Sequence, residues 1–286
     1  MKNRLLSELT LKIVLASDRW RIVSSLAAPD TGPVTDKAHL AWMREHVDRH
    51  PAREILLALE GRGLYGFRDK PYPCCPGSIF LFDSYELHDN EYPPFSPAML
   101  HLWLHIMEGD VIARFLQIEA GRMRILQNQL VFTHDEAMAL LRRTWTDLAS
   151  APDRPALFKR AQLLAALSPV FLRIVEQGFV KSAVKPVESF QSQIIRSIRG
   201  HIAETAGRGV PLDEAARLAG YSKFHFLRLF KKETGQTFLE YVNQCRLNRV
   251  QSMLQNRETK TAIAKALGFS HPSVLLRWMK AMKLRA

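Results

Sequence analysis

One short pattern is written twice in the last third of the chain. Ala216-Arg217-Leu218-Ala219-Gly220-Tyr221-Ser222 precedes a basic amphipathic stretch running to about Lys232. Ala264-Lys265-Ala266-Leu267-Gly268-Phe269-Ser270 precedes a second one running to about Lys283. Each copy reads as a scaffold helix, a tight glycine turn and a following helix, the sequence form of a helix-turn-helix. The alanine four residues before each glycine lets the two helices approach closely. The glycine supplies the positive φ of a sharp turn, the aromatic after it covers the turn, and the serine is placed to cap the next helix. Ala-x3-Gly alone arises often by chance. Two copies 48 residues apart in one basic segment restrict that segment to a tandem helix-turn-helix.

Charge divides the chain at the same place. Residues 191–286 carry 17 Lys and Arg against 6 Asp and Glu, a balance of +11 in a chain whose total is +12. Residues 1–190 are close to neutral. A basic surface on a helical domain is the electrostatic footprint of a polyanion binder, whereas on an arbitrary surface it serves only solubility. On a helix-turn-helix pair it favours DNA.

The remaining global features set bounds. A chain of 286 residues has room for about two domains. With 47% hydrophobic and 24% charged residues its composition is that of an ordinary globular protein. No apolar run approaches a membrane span. The stretch after Lys2 and Arg4 is interrupted by Glu8 and Lys12 and lacks the apolar centre of a signal peptide. Cys74, Cys75 and Cys245 are too few for a disulfide framework, so a reducing cytoplasm is the expected location. The adjacent pair reads either as a thiol sensor or, more simply, as two small residues before a strand.

The run Gly220-Tyr221-Ser222-Lys223-Phe224-His225-Phe226-Leu227-Arg228-Leu229-Phe230-Lys231-Lys232-Glu233-Thr234-Gly235 resembles the first recognition helix of AraC/XylS-type transcription regulators. Tyr241, Arg246-Leu247 and Ala262-Ile263-Ala264…Gly268-Phe269-Ser270 follow at that family's spacing, so the resemblance covers about Phe190 to Lys283. It implies a bipartite DNA reader, and elementary geometry agrees. Gln236 to Gln255 is expected to be one helix, with Phe238, Tyr241, Val242, Leu247, Val250, Met253 and Leu254 on an apolar stripe. Twenty helical residues span about 30 Å. That is close to the roughly 34 Å between successive major-groove faces on one side of B-DNA. Phe238 stands where the family often has proline.

In the first reading helix, Phe226, Leu229 and Phe230 recur at helical spacing and belong to the core. Lys223, Phe224, Leu227, Arg228, Lys231 and Lys232 are then outward. Arg228 can bond a guanine edge with both guanidinium arms. Phe224 and Leu227 can touch thymine methyls, a role the family resemblance also implies, and Lys231 and Lys232 read as phosphate contacts. In the second helix His271 takes the place of Ser222. Leu275, Trp278 and Met279 are core, and His271, Pro272, Ser273, Leu276 and Arg277 are outward. Pro272 is tolerated in a first helical turn. Arg277 is a base reader or a phosphate anchor.

The first half reads differently. From Val23 to Ile106, short β-rich runs at Glu54–Glu60, Gly63–Phe67, Ser78–Phe82 and Met99–Ile106 are broken by Gly, Pro and Asp, which suggests an antiparallel barrel or sandwich. His50-Pro51-Ala52-Arg53-Glu54 followed by Gly61, then Pro76-Gly77…His88, resembles the two cupin motifs. Asp48, His50 and Glu54 fall where a metal cupin places two histidines and a glutamate. Such ligands suit Mn, Fe or Zn. The alternative is a metal-free pocket lined by the same polar residues, and with Asp48 in place of a histidine this is the reading taken. The resemblance implies a sugar or related metabolite. Trp42, Tyr65, Phe67, Phe82, Tyr85 and Trp103 are available as stacking faces, although each alone also reads as core. The effector-site candidates are His50, Glu54, Tyr65, Phe82, His88 and Trp103.

Two helices are expected between these parts, from about His134 to Leu148 and from Pro155 to Gln177, the second with Phe158, Ala161, Leu164, Leu167 and Phe171 on one side. Such a pair either dimerises or packs on its own barrel. Phe179 to Glu188, with Pro186, reads as a linker. The fold expected is α+β: an N-terminal cupin-like β jelly roll over 1–130, a helical connector over 131–189 and an all-α double helix-turn-helix domain over 190–286. The expected function is effector-responsive, sequence-specific transcriptional regulation, with no catalytic residue, cofactor or bound metal. Its partners are double-stranded operator DNA, a small-molecule effector, RNA polymerase and a second copy of the chain, with no membrane. The rival readings are a metal-dependent cupin enzyme carrying a DNA-binding module, and a constitutive DNA binder whose barrel only dimerises.

Overall fold

Alternating hydrophobic residues in the first half sort onto two faces of one sheet. The computed structural model describes residues 2–26, 29–48, 53–107, 110–132, 135–151, 153–179, 190–208 and 210–282. Their contacts group into two units, Met1–Val187 and Glu188–Ala286.

The first unit opens with α1 (Lys2–Leu15), β1 (Arg21–Ser24), α2 (Lys37–Met43) and β2 (Val47–Asp48). The strands β3 (Arg53–Glu60), β4 (Gly63–Phe67), β5 (Lys70–Cys74), β6 (Ser78–Phe82), β7 (His88–Asp89), β8 (Met99–Ile106), β9 (Asp110–Glu119) and β10 (Arg122–Phe132) follow. Two helices close it, α3 (Asp135–Ser150) and α4 (Ala156–Phe179). The larger sheet has the order β1-β6-β3-β8-β9-β10 and the smaller β2-β7-β4-β5. All described pairings are antiparallel except β1 with β6.

Successive side chains of a strand point to opposite faces. Ile55, Leu57, Leu100, Leu102, Leu104, Val111, Ala113 and Phe115 therefore pack on Leu6 of α1, Met138, Leu141 and Trp145 of α3, and Leu163, Leu167, Val170 and Phe171 of α4. The alternate residues Leu56, Ala58, Phe80, Phe82, Met99, Trp103, Leu116 and Ile118 face Tyr65, Phe67 and Tyr72 of the smaller sheet. The larger sheet is thus covered on both faces, which accounts for the nearly continuous apolar runs of β3, β6 and β8. Of the connector expected over 131–189, α3 and α4 belong to this same unit, which runs to Val187. The apolar stripe expected on α4 is split: Leu167 and Phe171 face the barrel, while Phe158 is exposed.

The second unit contains α5 (Phe190–Thr205), α6 (Leu212–Ala219), α7 (Lys223–Thr234), α8 (Phe238–Gln255), α9 (Lys260–Ala266) and α10 (Pro272–Ala281). Gly220 and Gly268 have φ of 74° and 75°. The amide after each glycine bonds back across the helix end, Tyr221 to the Ala216 carbonyl at 3.0 Å and Phe269 to the Ala264 carbonyl at 2.9 Å. The repeated sequence thus produces one repeated helix ending, closed by the long-reach bond typical of glycine-terminated helices. Ser222 caps α7, but Ser270 does not cap α10; the His271 ring does, accepting from the Ser273 amide at 3.2 Å. The helix expected from Gln236 begins two residues later. Thr237 caps α8 and forms a reciprocal capping box with Glu240. No helix among the described residues is long and apolar enough to cross a membrane.

Candidate DNA interface and effector pocket

The inward side of α7 is fixed by aromatic packing. Phe226 and Phe230 are fully buried, 5.6 and 5.5 Å from Phe238 of α8 between ring centroids, and Leu229 joins them in the core. Phe238 therefore fills this junction with a ring. Its position forces the opposite side outward: Lys223, Phe224, Arg228, Lys231 and Lys232 are exposed, Phe224 at 82%, and Leu227 is half-buried. Lys223 is not a bare cation, since its Nζ lies 2.6 Å from Asp213 Oδ1 on α6.

On α10, Leu275 and Met279 are buried. Trp278 is half-buried and donates its indole N–H to Asn243 Oδ1 of α8 at 3.3 Å. His271, Ser273, Leu276 and Arg277 are exposed and Pro272 is half-buried. Pro272 occupies the first helical position, where no amide hydrogen is needed. The capping bond commits His271 Nδ1 to its own helix, so only Nε2 faces outward chemistry.

In the barrel, three strands bring polar residues to one buried point. Glu54 Oε1 of β3 lies 2.5 Å from His105 Nδ1 of β8, and Glu54 Oε2 lies 3.5 Å from His88 Nε2 of β7. His88 Nδ1 is also 2.9 Å from the Glu86 carbonyl. Phe82 lies 4.6 Å from the His88 ring and stacks on Trp103 at 5.7 Å; Tyr65 is 6.0 Å from Phe82 and 5.7 Å from Trp103. Glu54, Tyr65, Phe82, His88 and Trp103 are thus gathered into one cluster. His50 lies outside the described residues. Of the other aromatic candidates, Phe67 joins the cluster, 5.9 Å from Phe82. Trp42 instead stacks on His46 at 4.4 Å, and Tyr85 is exposed. Among the described residues no group of three or more His, Cys, Asp or Glu has an arrangement that holds a metal ion.

A second polar chain runs beside the first. The Tyr92 hydroxyl lies 2.6 Å from His101 Nδ1 and accepts the Trp103 indole N–H at 3.2 Å, and His101 Nε2 lies 3.6 Å from Cys74 Sγ. Burial lowers the His101 pKa to about 3 and pushes the Cys74 thiol and the Tyr92 phenol well up. All three are neutral at pH 7, so this buried chain is hydrogen-bonded without charge.

The model of the AraC-like ligand binding domain matches residues 40–167, and that of a helix-turn-helix domain matches 215–284. The multiple antibiotic resistance protein MarA of Escherichia coli is 30% identical over 87 residues, which cover 30% of this chain and 68% of that protein. The chain belongs to the AraC family. Among other AraC-family relatives, the transcriptional activator RhaS of Pectobacterium atrosepticum is 25% identical over 242 residues, covering 77% of this chain and 78% of RhaS. An uncharacterized HTH-type transcriptional regulator of Bacillus subtilis, YbfI, is 22% identical over 215 residues, covering 75% of each chain. No solved structure matches. This AraC-family chain is a helix-turn-helix DNA-binding transcriptional regulator that carries a ligand-binding domain.

Sequence reasoning missed His105, His101 and Tyr92 in the barrel, and Asn243 in the reader. The signal for the two histidines was present. His101-x-Trp103-x-His105 sits in an apolar strand with period-two spacing, which sends all three to the face opposite Leu102 and Leu104. Asn243 and Tyr92 had no such pattern.

Proposed function

We propose that this regulator binds a bipartite operator through α7 and α10 while its barrel takes up a small neutral polar effector, with carbohydrate as the class its lining fits. The observation that carries the reading is the repetition itself. Two glycine-ended scaffold helices each lead into a helix whose outward side is exposed and basic in the most basic part of the chain. Eighteen residues of α8 span about 27 Å, a separation suited to successive major-groove faces. Lys223, Phe224, Leu227 and Arg228 of α7, with His271, Pro272, Ser273 and Arg277 of α10, are the proposed base-proximal contacts, and Lys231 and Lys232 the phosphate contacts. Glu54, Tyr65, Phe82, His88 and Trp103 are the proposed effector contacts, with His105 added, and His50 is kept on its cupin-like position. The aromatic faces of Tyr65, Phe82 and Trp103 beside the polar groups of Glu54, His88 and His105 support a hydroxyl-rich ligand. The protein is proposed to act without catalysis, in the cytoplasm, as a homodimer that engages RNA polymerase.

The test is base-by-base binding to an operator recovered by selection. Arg228→Ala is expected to cost about 1–3 kcal/mol and to flatten discrimination at one base position. Lys232→Ala is expected to weaken all sequences alike and to lower the salt slope by about one. Interchangeable behaviour of the two variants overturns the assignment. The same titration with neutral sugars present should shift operator affinity for at least one of them; an affinity unchanged by every sugar removes carbohydrate from the proposal.

A further inference from the structure

Two reading helices that meet one duplex must keep a fixed offset, because one base pair adds about 3.4 Å of rise and about 35° of twist. The covalent link between them is α8, which ends at Gln255 and hands over to a turn in which Arg257 has φ 59°. A second, non-covalent link is built from the end of α5. The body of α5 packs against α6, α7 and α8 and so belongs to the first reader. Its terminal turn, however, reaches the second. Ala206 is 1% exposed in a core shared with Val250, Met253, Ile263, Ala264, Leu267, Leu275 and Met279. Gly207 has φ 65°, and a Cβ there would lie 2.6 Å from Val242 Cγ1, so a larger residue would push the turn off α8. The Gly207 carbonyl accepts from Arg246 Nη2 at 3.1 Å, and that guanidinium lies 5.7 Å from the Phe269 ring centroid. Arg208 Nη1 donates to the Ala266 carbonyl at 3.3 Å, placing a cation on the carbonyl end of α9. The Arg208 stem also lies over the second glycine turn, 3.3 Å from where a Gly268 Cβ would be. From the other side, Asn243 of α8 holds Trp278 of α10.

We propose that Ala206-Gly207-Arg208, with Asn243 and Arg246, is a clasp that fixes the offset between the two readers, and that Arg208 and Asn243 are positioning residues setting the operator spacing the regulator accepts. This rests on the two-groove reading given above. Neither Arg208 nor Asn243 is on the outward side of a reading helix. Their contribution is to hold α9 and α10 at one angle to α8, which turns two weak half-contacts into one cooperative contact only at the matching spacing.

The clasp is tested first without DNA. Spin labels on unnatural side chains at the exposed Glu233 of α7 and Lys280 of α10 report the separation of the two readers in the full chain and leave the native cysteines untouched. The wild type is expected to give one narrow distance distribution. Arg208→Met and Asn243→Ala should at least double its width at unchanged helical content. An unchanged width in both variants overturns the clasp. The second arm uses the bipartite duplex that the wild-type chain selects from a random pool. One base pair inserted between its halves should weaken the wild type about tenfold or more and Arg208→Met by less than threefold. Equal losses overturn the role in spacing. A selected site with a single half refutes the two-groove reading instead, and the clasp then stands or falls on the distance widths.

Discussion

His101 shows how a single buried ring ties the barrel to pH. Its folded pKa of about 3 lies below the ordinary 6.5 because burial opposes the charged form. The folded chain keeps the ring neutral where the unfolded chain protonates it. Between about pH 6.5 and about pH 3 unfolding therefore takes up a proton, and stability falls as pH drops through that window, by up to about 1.4 kcal/mol per unit. Above it the contribution is flat. The urea midpoint of the N-terminal unit is expected to decline below pH 6.5, and His101→Gln to decline less steeply relative to its own value at pH 7.5. Parallel slopes would remove His101 as the cause. At this scale the sequence was informative where side chains repeat with helical period. Phe226, Leu229 and Phe230 were assignable to the core of α7, leaving its exposed cations to be read off the opposite side. It was silent on pairings between distant residues, such as Lys223 with Asp213 or Glu54 with His105, because neither partner's position along the chain specifies the other.

At the scale of the element, α8 begins where chemistry rather than hydrophobicity places it. Thr237 Oγ1 accepts from the Glu240 amide at 3.3 Å, and the Thr237 amide donates to Glu240 Oε2 at 2.7 Å. The bond from the Thr237 amide, with a second from the Thr237 hydroxyl to Glu240 Oε2 at 2.8 Å, holds the Glu240 carboxyl below its usual range. Thr237→Ala removes the cap and is expected to cost about 1 kcal/mol, read as a lowered urea midpoint for the C-terminal unit. No change would place the start of α8 elsewhere. The expected start at Gln236 followed the apolar stripe and overlooked this box. The strands fared similarly: β4, β6 and β8 were legible because they are short, apolar and bounded by breakers, and β3 was legible to within one residue. The β9–β10 hairpin was not. Arg114, Gln117, Arg122, Arg124, Gln127, Asn128 and Gln129 interrupt its alternation, and a bulge between Ile125 and Gln127 breaks the period. Its turn, Ala120-Gly121, has φ of 48° and 74° and gives only a weak sequence signal.

For the whole molecule, charge sets the last third apart, since the excess is confined to it, and the repeated helix-turn-helix pattern makes that third the DNA reader. Self-association is written less plainly. Leu157 and Leu172, 67% and 64% exposed, flank the exposed Ala161 and Ala165 along one side of α4. The proposed homodimer is expected to use that side. Leu172→Glu should then weaken association about thirtyfold or more without loss of helicity, measured by sedimentation; an unaffected dimer would move the interface elsewhere. The two units also differ in when they can be completed. The C-terminal unit is drawn from one contiguous stretch of local helices, whereas Leu6, Leu9 and Ile13 of α1 pack in the same core as Leu163, Leu167 and Ile174 of α4. On the ribosome, the first helix emerges well over a hundred residues before its partner. Its apolar side must wait through most of the unit's translation, so chaperone demand should fall on the sensor rather than on the DNA-binding half.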